Sequence, residues 1–247
     1  MLNDHSAGAI IVGAGRGRRL GADVNKCLIS IEDIPMILIT ANAFQLNRGI
    51  EAIVLVVPVA AVNEIRDRTK SLGMDTLCTV VAGGERRQDS AQNGLSAIPK
   101  GIDKVLIHDG ARALISGELI DRVISGLVSH PVVIPGVKVT DTLHKEDAGF
   151  AVEGAERAGI IVAQTPQGFK KSLLQECFEL STKNSYTVTD EATLVRDMSG
   201  VKPAVVEGDS RNVKITYPQD LELYMPHLIR IAQELKGAKA GFPLSRE

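Results

Sequence analysis

The sequence predicts an α/β protein: a mostly parallel sheet with helices packed on both faces. Three observations predict it. Short apolar runs of strand length recur along the chain, helical patterns lie between them, and glycine-rich turns follow several of the runs. Strand–helix alternation builds parallel sheets, because the chain must cross back over one face between neighbouring strands. In such sheets ligands bind beyond the carboxyl ends of the strands.

The elements follow in order. Residues 9–12 are the first apolar run, and Gly13-Ala14-Gly15-Arg16-Gly17 follows as a tight turn. Residues without bulky side chains let backbone N–H groups curl around an anion. Arg16, Arg18, Arg19 and Lys26 place up to four cations around that turn, which suits a polyphosphate. The spacing fits neither familiar phosphate motif. From Gly13 the sixth position is Arg18 and from Gly15 it is Leu20, so the dinucleotide fingerprint fails; Lys26 is followed by Cys27, so a P-loop fails.

A helix is expected over 35–46, then a strand over 52–57 and a helix over 59–72. A strand over 76–81 leads to a second glycine pair, Gly83-Gly84, followed by Glu85. The next helix is expected over 90–98, where Ser90 either caps the helix or reaches a ligand. A strand over 104–107 ends in His108-Asp109-Gly110-Ala111-Arg112, an acid and a base close together at a strand end. A purely local Asp109–Arg112 ion pair would be worth little if exposed. A helix over 116–129 and a strand over 131–134 continue the alternation.

Residues 137–164 break it. Alternating Val137, Val139 and Leu143, polar 145–147 and a second stretch at 150–152 read as an extended β-arm, begun by Asp141-Thr142 and closed near Arg157. Such an arm buries little alone, so it is expected to pack on a partner subunit rather than stand as a surface excursion. Residues 164–167 form a stiff turn. Helices are expected over 171–180 and 189–197, with Thr189 capping the second and Asp190 and Glu191 in its first turn. A strand over 202–206 leads to Lys214, and a helix over 217–235 begins at Thr216 and Pro218 and stops at Lys236-Gly237. Residues 1–236 therefore form one domain carrying the arm, and 237–247 a flexible tail.

Composition limits the function classes. The formal charge is −2 and aromatic residues are 3%, with no Trp, which argues against a nucleic-acid binder. No apolar run approaches the ~20 residues that span a membrane, and no signal core is present. Three widely spaced cysteines form neither a metal pattern nor a disulfide framework, so a reducing cytoplasm is expected. The five histidines show no ligand spacing.

Taken in order, GAGRGRRLG with Lys26, GGERRQDS, HDGAR, Asp141-Thr142, Arg157, QTPQGF, TDEA and GDSRNVKIT closely resemble the 2-C-methyl-D-erythritol 4-phosphate cytidylyltransferase family over about residues 9–221. The resemblance implies a Rossmann-like nucleotidyltransferase fold, a homodimer joined by β-arms, and use of CTP with Mg²⁺ bound mainly through its phosphates. It implies that Ala14, Gly15, Arg19 and Lys26 meet the triphosphate, with Arg16 and Gly17 in the same loop. Gly84, Glu85 and Ser90 match its cytosine and ribose region. Asp109, Arg112, Thr142, Arg157, Thr189 and Lys214 match its acceptor and α-phosphate region, and Lys26, Lys214 and Arg19 are the catalytic candidates. Departures fall at Gly13, Cys27, Ala113 and Ile161. Two other readings share the loop: a ribitol 5-phosphate cytidylyltransferase, and a catalytically silent nucleotide-binding protein.

Overall fold

The computed structural model describes residues 6–15 and 25–239. Arg16, Gly17, Arg18 and Arg19, and residues 240–247 of the expected tail, lie outside the described residues. The chain opens with β1 (Ala7–Val12), a small hairpin of β2 (Ser30–Ile31) and β3 (Ile34–Pro35), and α1 (Met36–Leu46). Three crossover units follow: β4 (Ile50–Val57) with α2 (Val62–Ser71), β5 (Cys78–Ala82) with α3 (Arg87–Ala97), and β6 (Lys104–Asp109) with α4 (Gly117–Ser129). Then come β7 (Val132–Lys138), β8 (Leu143–Asp147), β9 (Phe150–Ala155), β10 (Ile161–Ala163) and β11 (Gln167–Lys170). The chain continues through α5 (Lys171–Lys183), α6 (Glu191–Ser199), β12 (Ala204–Glu207) and α7 (Pro218–Lys239).

The main sheet runs β7-β11-β6-β1-β4-β5, with β10 pairing β7 on the same side as β11 and β12 pairing its other side. The pairs β6–β1, β1–β4, β4–β5 and β12–β7 are parallel, while β10 and β11 run antiparallel to their neighbours. The strand alternation sorts side chains into two cores. Ala9 and Ile11 of β1 join Ile53 and Leu55 of β4 under α1, α4 and α7. Ile10 and Val12 join Val54 and Val56 on the opposite face, against α3, α5 and α6. Burial of the central strands on both faces explains why they read as unbroken apolar runs.

Five local expectations need correction. The stiff turn after Gln164 continues into β11, a strand inserted between β6 and β7. Only four residues long and containing Gly168, β11 carries too little alternation to be legible. The arm is narrower than 137–164: Gly136–Lys138 and Ile161–Ala163 pair within the main sheet, and only β8 and β9 form a separate hairpin. Ser90 lies inside α3, whose N-cap is Arg86, with its own carboxylate partner at Asp89. Asp190 rather than Thr189 caps α6, accepting from Thr193 N–H at 2.7 Å. The last helix also runs through Gly237 to Lys239, because Leu228, Ala232 and Leu235 dock it on the core.

Candidate active site

The carboxyl ends of β1, β4, β5 and β6 open into one cleft of about 1540 Å³. Ala14 and Gly15 line it from β1, Gly84 and Glu85 from β5, and Asp109 from β6. Lys26, Ser90 and Lys214 line it as well. The two glycine turns touch: a Cβ on Gly83 would lie 2.2 Å from the Ala14 Cβ and 2.8 Å from Ser90 Oγ, so only glycine fits. Ser90 Oγ accepts from Gly84 N–H at 3.1 Å and donates to the Arg86 carbonyl at 3.1 Å. The Ser90 hydroxyl therefore sets the shape of the second turn. Asn25 does the same for the first, donating to the Gly13 carbonyl at 2.6 Å and accepting from Cys27 N–H at 2.9 Å. That clasp fixes Lys26 between them at the cleft wall.

Asp109 is the electrostatic centre. Lys214 Nζ lies 2.8 Å from its Oδ2, Arg112 Nε lies 3.7 Å from the same oxygen, and Arg87 reaches its Oδ1 at 3.5 Å. Burial opposes ionisation of this carboxyl, but Arg87, Lys214 and Arg112 outweigh it and hold the group well below the usual carboxylate range. The expected local Asp109–Arg112 pair thus forms, but as part of a buried cluster in which one carboxylate orders three cations. Arg87 is shared: its NH1 donates to both oxygens of buried Glu191, at 2.6 and 2.7 Å. Burial keeps the Cys27 thiol, next to Lys26, protonated by pushing it up to about 12, so it is no nucleophile.

Arg112, Thr142, Arg157 and Thr189 stand apart from the cleft lining. Arg112 lies behind Asp109 and donates to the Asn212 carbonyl at 2.7 Å. Thr142 and Arg157 are exposed at the base of the β8–β9 hairpin, where Arg157 donates to the Thr140 carbonyl. Thr189 is exposed on the loop before α6. Asn25, Arg87, Glu191, Thr165 and Asn212 were missed as structural participants. Arg87 and Glu191 stand 104 residues apart, so no local spacing could pair them.

The model of the 2-C-methyl-D-erythritol 4-phosphate cytidylyltransferase family matches residues 7–228, the span from β1 into α7. The chain belongs to that family. A cytidylyltransferase of this name from Geobacillus kaustophilus is 36% identical over 213 residues, covering 86% of this chain and 92% of that protein. Another, from Microcystis aeruginosa, is 37% identical over 215 residues, covering 87% and 95%. The solved 4-diphosphocytidyl-2C-methyl-D-erythritol synthase from Anaerococcus prevotii superposes with a TM-score of 0.78 at 28% identity, over 92% of this chain and 99% of that one. The cytidylyltransferase from Thermus thermophilus gives 0.76 at 26%, over 90% and 98%. The family's mostly parallel sheet flanked by helices is the architecture described above.

Proposed function

We propose that this chain transfers a cytidylyl group from CTP to 2-C-methyl-D-erythritol 4-phosphate, releasing pyrophosphate and forming 4-diphosphocytidyl-2-C-methyl-D-erythritol, an isoprenoid precursor. One observation carries the reading beyond family membership: Lys214 is held at 2.8 Å from Asp109 in the cleft that Lys26 and both glycine turns line. The acceptor's phosphate monoester has its second pKa near ~6, so it attacks the α-phosphorus as an anion without a general base. The protein's task is to align two anions and stabilise charge that develops between them. Lys26 and Lys214 act on the α-phosphate, with Arg19 on the β/γ side. The turns at Ala14 and Gly84 offer backbone groups to the cytosine edge, so CTP is preferred over ATP and GTP.

Mg²⁺ fits this site as a phosphate-bound ion. Asp109, Glu64 and Glu85 line the cleft, yet among the described residues no three His, Cys, Asp or Glu side chains gather to hold a metal. A hard cation with one or two carboxylates keeps waters and phosphate oxygens as its other ligands. Bound there, such an ion would neutralise phosphate charge, and Asp109 is the carboxylate that would aid it.

The acceptor side is completed by a second copy of the chain. The β8–β9 hairpin pairs only within itself as a ladder, and Phe150 and Val152 are 73% and 59% exposed. A two-stranded ribbon is marginal alone in water, so a partner's apolar surface accounts for it. In that homodimer Arg157 and Thr142 of one chain reach the acceptor phosphate near Asp109 and Lys214 of the other. The three cysteines are free and buried, and no helix among the described residues is long and apolar enough to cross a membrane, which supports a reducing cytoplasm. The test is to incubate the protein with CTP, Mg²⁺ and methylerythritol phosphate or ribitol 5-phosphate and to measure pyrophosphate. Release with methylerythritol phosphate is expected; equal release with ATP, or release only with ribitol phosphate, contradicts the reading.

A further inference from the structure

Behind the cleft lies a buried hydrogen-bond network that does not touch its lumen. It starts where the chain switches from β10 to β11. Both strands run along the same side of β7, but the register slips by two residues between them. Gln164 still donates its backbone N–H to the Pro135 carbonyl of β7 at 2.8 Å, and Thr165 follows it beside the end of β6. Both are almost wholly buried.

Thr165 Oγ1 accepts from the Asp109 backbone N–H at 3.1 Å and lies 3.0 Å from His108 Nδ1. On the far side of the imidazole, Nε2 lies 3.2 Å from the Arg112 carbonyl. A carbonyl can only accept, so Nε2 carries the proton and Nδ1 is bare. The Thr165 hydroxyl therefore donates to Nδ1 and has one orientation, with its lone pair on Asp109 N–H. Burial keeps His108 neutral, lowering its pKa to about 4, and Phe44 packs on the ring with centroids 5.0 Å apart.

The same residue also anchors the loop after β12. Its carbonyl accepts from Asn212 Nδ2 at 2.7 Å, and Asn212 is fully buried. Gln164 holds that loop twice, donating to the Asp209 carbonyl at 2.8 Å and accepting from Asp209 N–H at 3.1 Å. Lys214 stands two residues beyond Asn212. Thr165 thus holds Asp109 with its hydroxyl and the Lys214 loop with its carbonyl.

We propose that Thr165 is a positioning residue, which with His108 fixes the Asp109 carboxylate and Lys214 relative to each other and so aligns the α-phosphate for attack. This rests on the functional reading above. It goes beyond that reading because none of these three side chains lines the cleft: Thr165, His108 and Asn212 all act from behind it. A catalytic geometry held to fractions of an ångström needs such support, since small misplacements cost large factors in rate.

The test is steady-state kinetics on Thr165→Val and Thr165→Ser, with folding followed by circular dichroism. The Val side chain keeps the volume but removes the hydroxyl; Ser restores it. Thr165→Val should lower kcat by roughly tenfold or more with the KM for CTP within about twofold, and Thr165→Ser should recover most of the rate. A folded Thr165→Val protein with near-normal kcat overturns the proposal, as does a Ser variant as slow as the Val variant. If Thr165→Val does not fold, His108→Gln decides. Gln keeps a donor for the Arg112 carbonyl but frees the Thr165 hydroxyl, so kcat should fall several-fold at unchanged KM for CTP. An unchanged kcat overturns the proposal, and so does failure of both variants to fold, which would make the network structural support only. Failure of the wild-type protein to release pyrophosphate would instead overturn the functional reading itself.

Discussion

The cleft at the end of β6 and the β8–β9 hairpin are both charged and both face ligands in this account, yet they are built oppositely. Around Asp109 the charges are paired through a buried carboxylate: Lys214, Arg112 and Arg87 converge on it, and buried Glu191 also pairs with Arg87. On the hairpin, Lys145 and Glu153 pair at 2.6 Å with both side chains more than 60% exposed, and such a pair contributes little. Phe150 and Val152 stand in solvent beside them. The first region is determined by its own chain. The second leaves apolar side chains exposed, which the proposed partner subunit would cover. The difference teaches that the cleft is preorganised by folding, while the acceptor half of the proposed site depends on the proposed assembly.

The largest expected effect tests the preorganised half. Lys214→Ala should lower kcat by roughly 10²-fold, about 3 kcal/mol of barrier, as for one lost transition-state donor. Lys26→Ala should do the same, since it faces the same phosphate from the glycine-loop side. Rapid-quench kinetics on folded protein check this; a near-normal kcat for either variant removes that lysine from the chemistry.

A pH effect of similar size belongs to the support behind the cleft. The folded His108 ring has its pKa lowered to about 4 from an ordinary 6.5. An unfolded chain binds a proton there that the folded chain refuses, so stability is full above the ordinary value and is lost as pH falls towards 4. The loss reaches ~3 kcal/mol. Asp109, held low in the fold, adds to the loss only at the acid end of that window, where the unfolded carboxyl begins to bind a proton. Urea unfolding between pH 4.5 and 7 should show the slope in the wild-type protein and a flatter one in His108→Gln. Parallel curves would mean that the ring is not neutral in the fold.

The assembly half gives smaller energies but sharper discrimination. Arg157→Lys keeps the charge and loses the planar fork, so the acceptor KM should rise by roughly tenfold while the KM for CTP stays put. A matched rise in both constants would place Arg157 on the nucleotide instead. The smallest change in monomer stability comes with Phe150→Asp, within about 0.5 kcal/mol because the side chain is exposed. The same substitution should convert the protein to monomers in sedimentation velocity. An unchanged sedimentation coefficient would show that the hairpin is not the contact.

These two halves were not equally legible in the sequence. The central strands were, because burial on both faces leaves continuous apolar runs, and the glycine turns were, because close approach at Gly13, Gly83 and Gly84 leaves no room for a side chain. Lys26 stood out beside the glycine turn and Asp109 and Lys214 after strands, while their roles came from the family resemblance. What escaped was set by tertiary pairing. Strand β11 is too short to carry a period. Ser90 and Thr189 read as caps from local spacing, yet Arg86 and Asp190 cap those helices, four residues and one residue away. The bond from Thr165 to Asp109 spans 56 residues, and the pair of Arg87 with Glu191 spans 104, so neither leaves a trace in any local pattern.

The central claim is that one working site takes Lys26 and Lys214 from one chain and Arg157 from another. Complementation tests it most directly. Lys26→Ala and Arg157→Ala proteins, each inactive alone, are mixed under conditions shown to exchange subunits, and pyrophosphate release from CTP and methylerythritol phosphate is measured. A hybrid dimer contains one site with both residues intact, so the account predicts that activity reappears in the mixture. A mixture that exchanges subunits yet stays inactive would contradict it, and would return Arg157 to its own chain's site or to none.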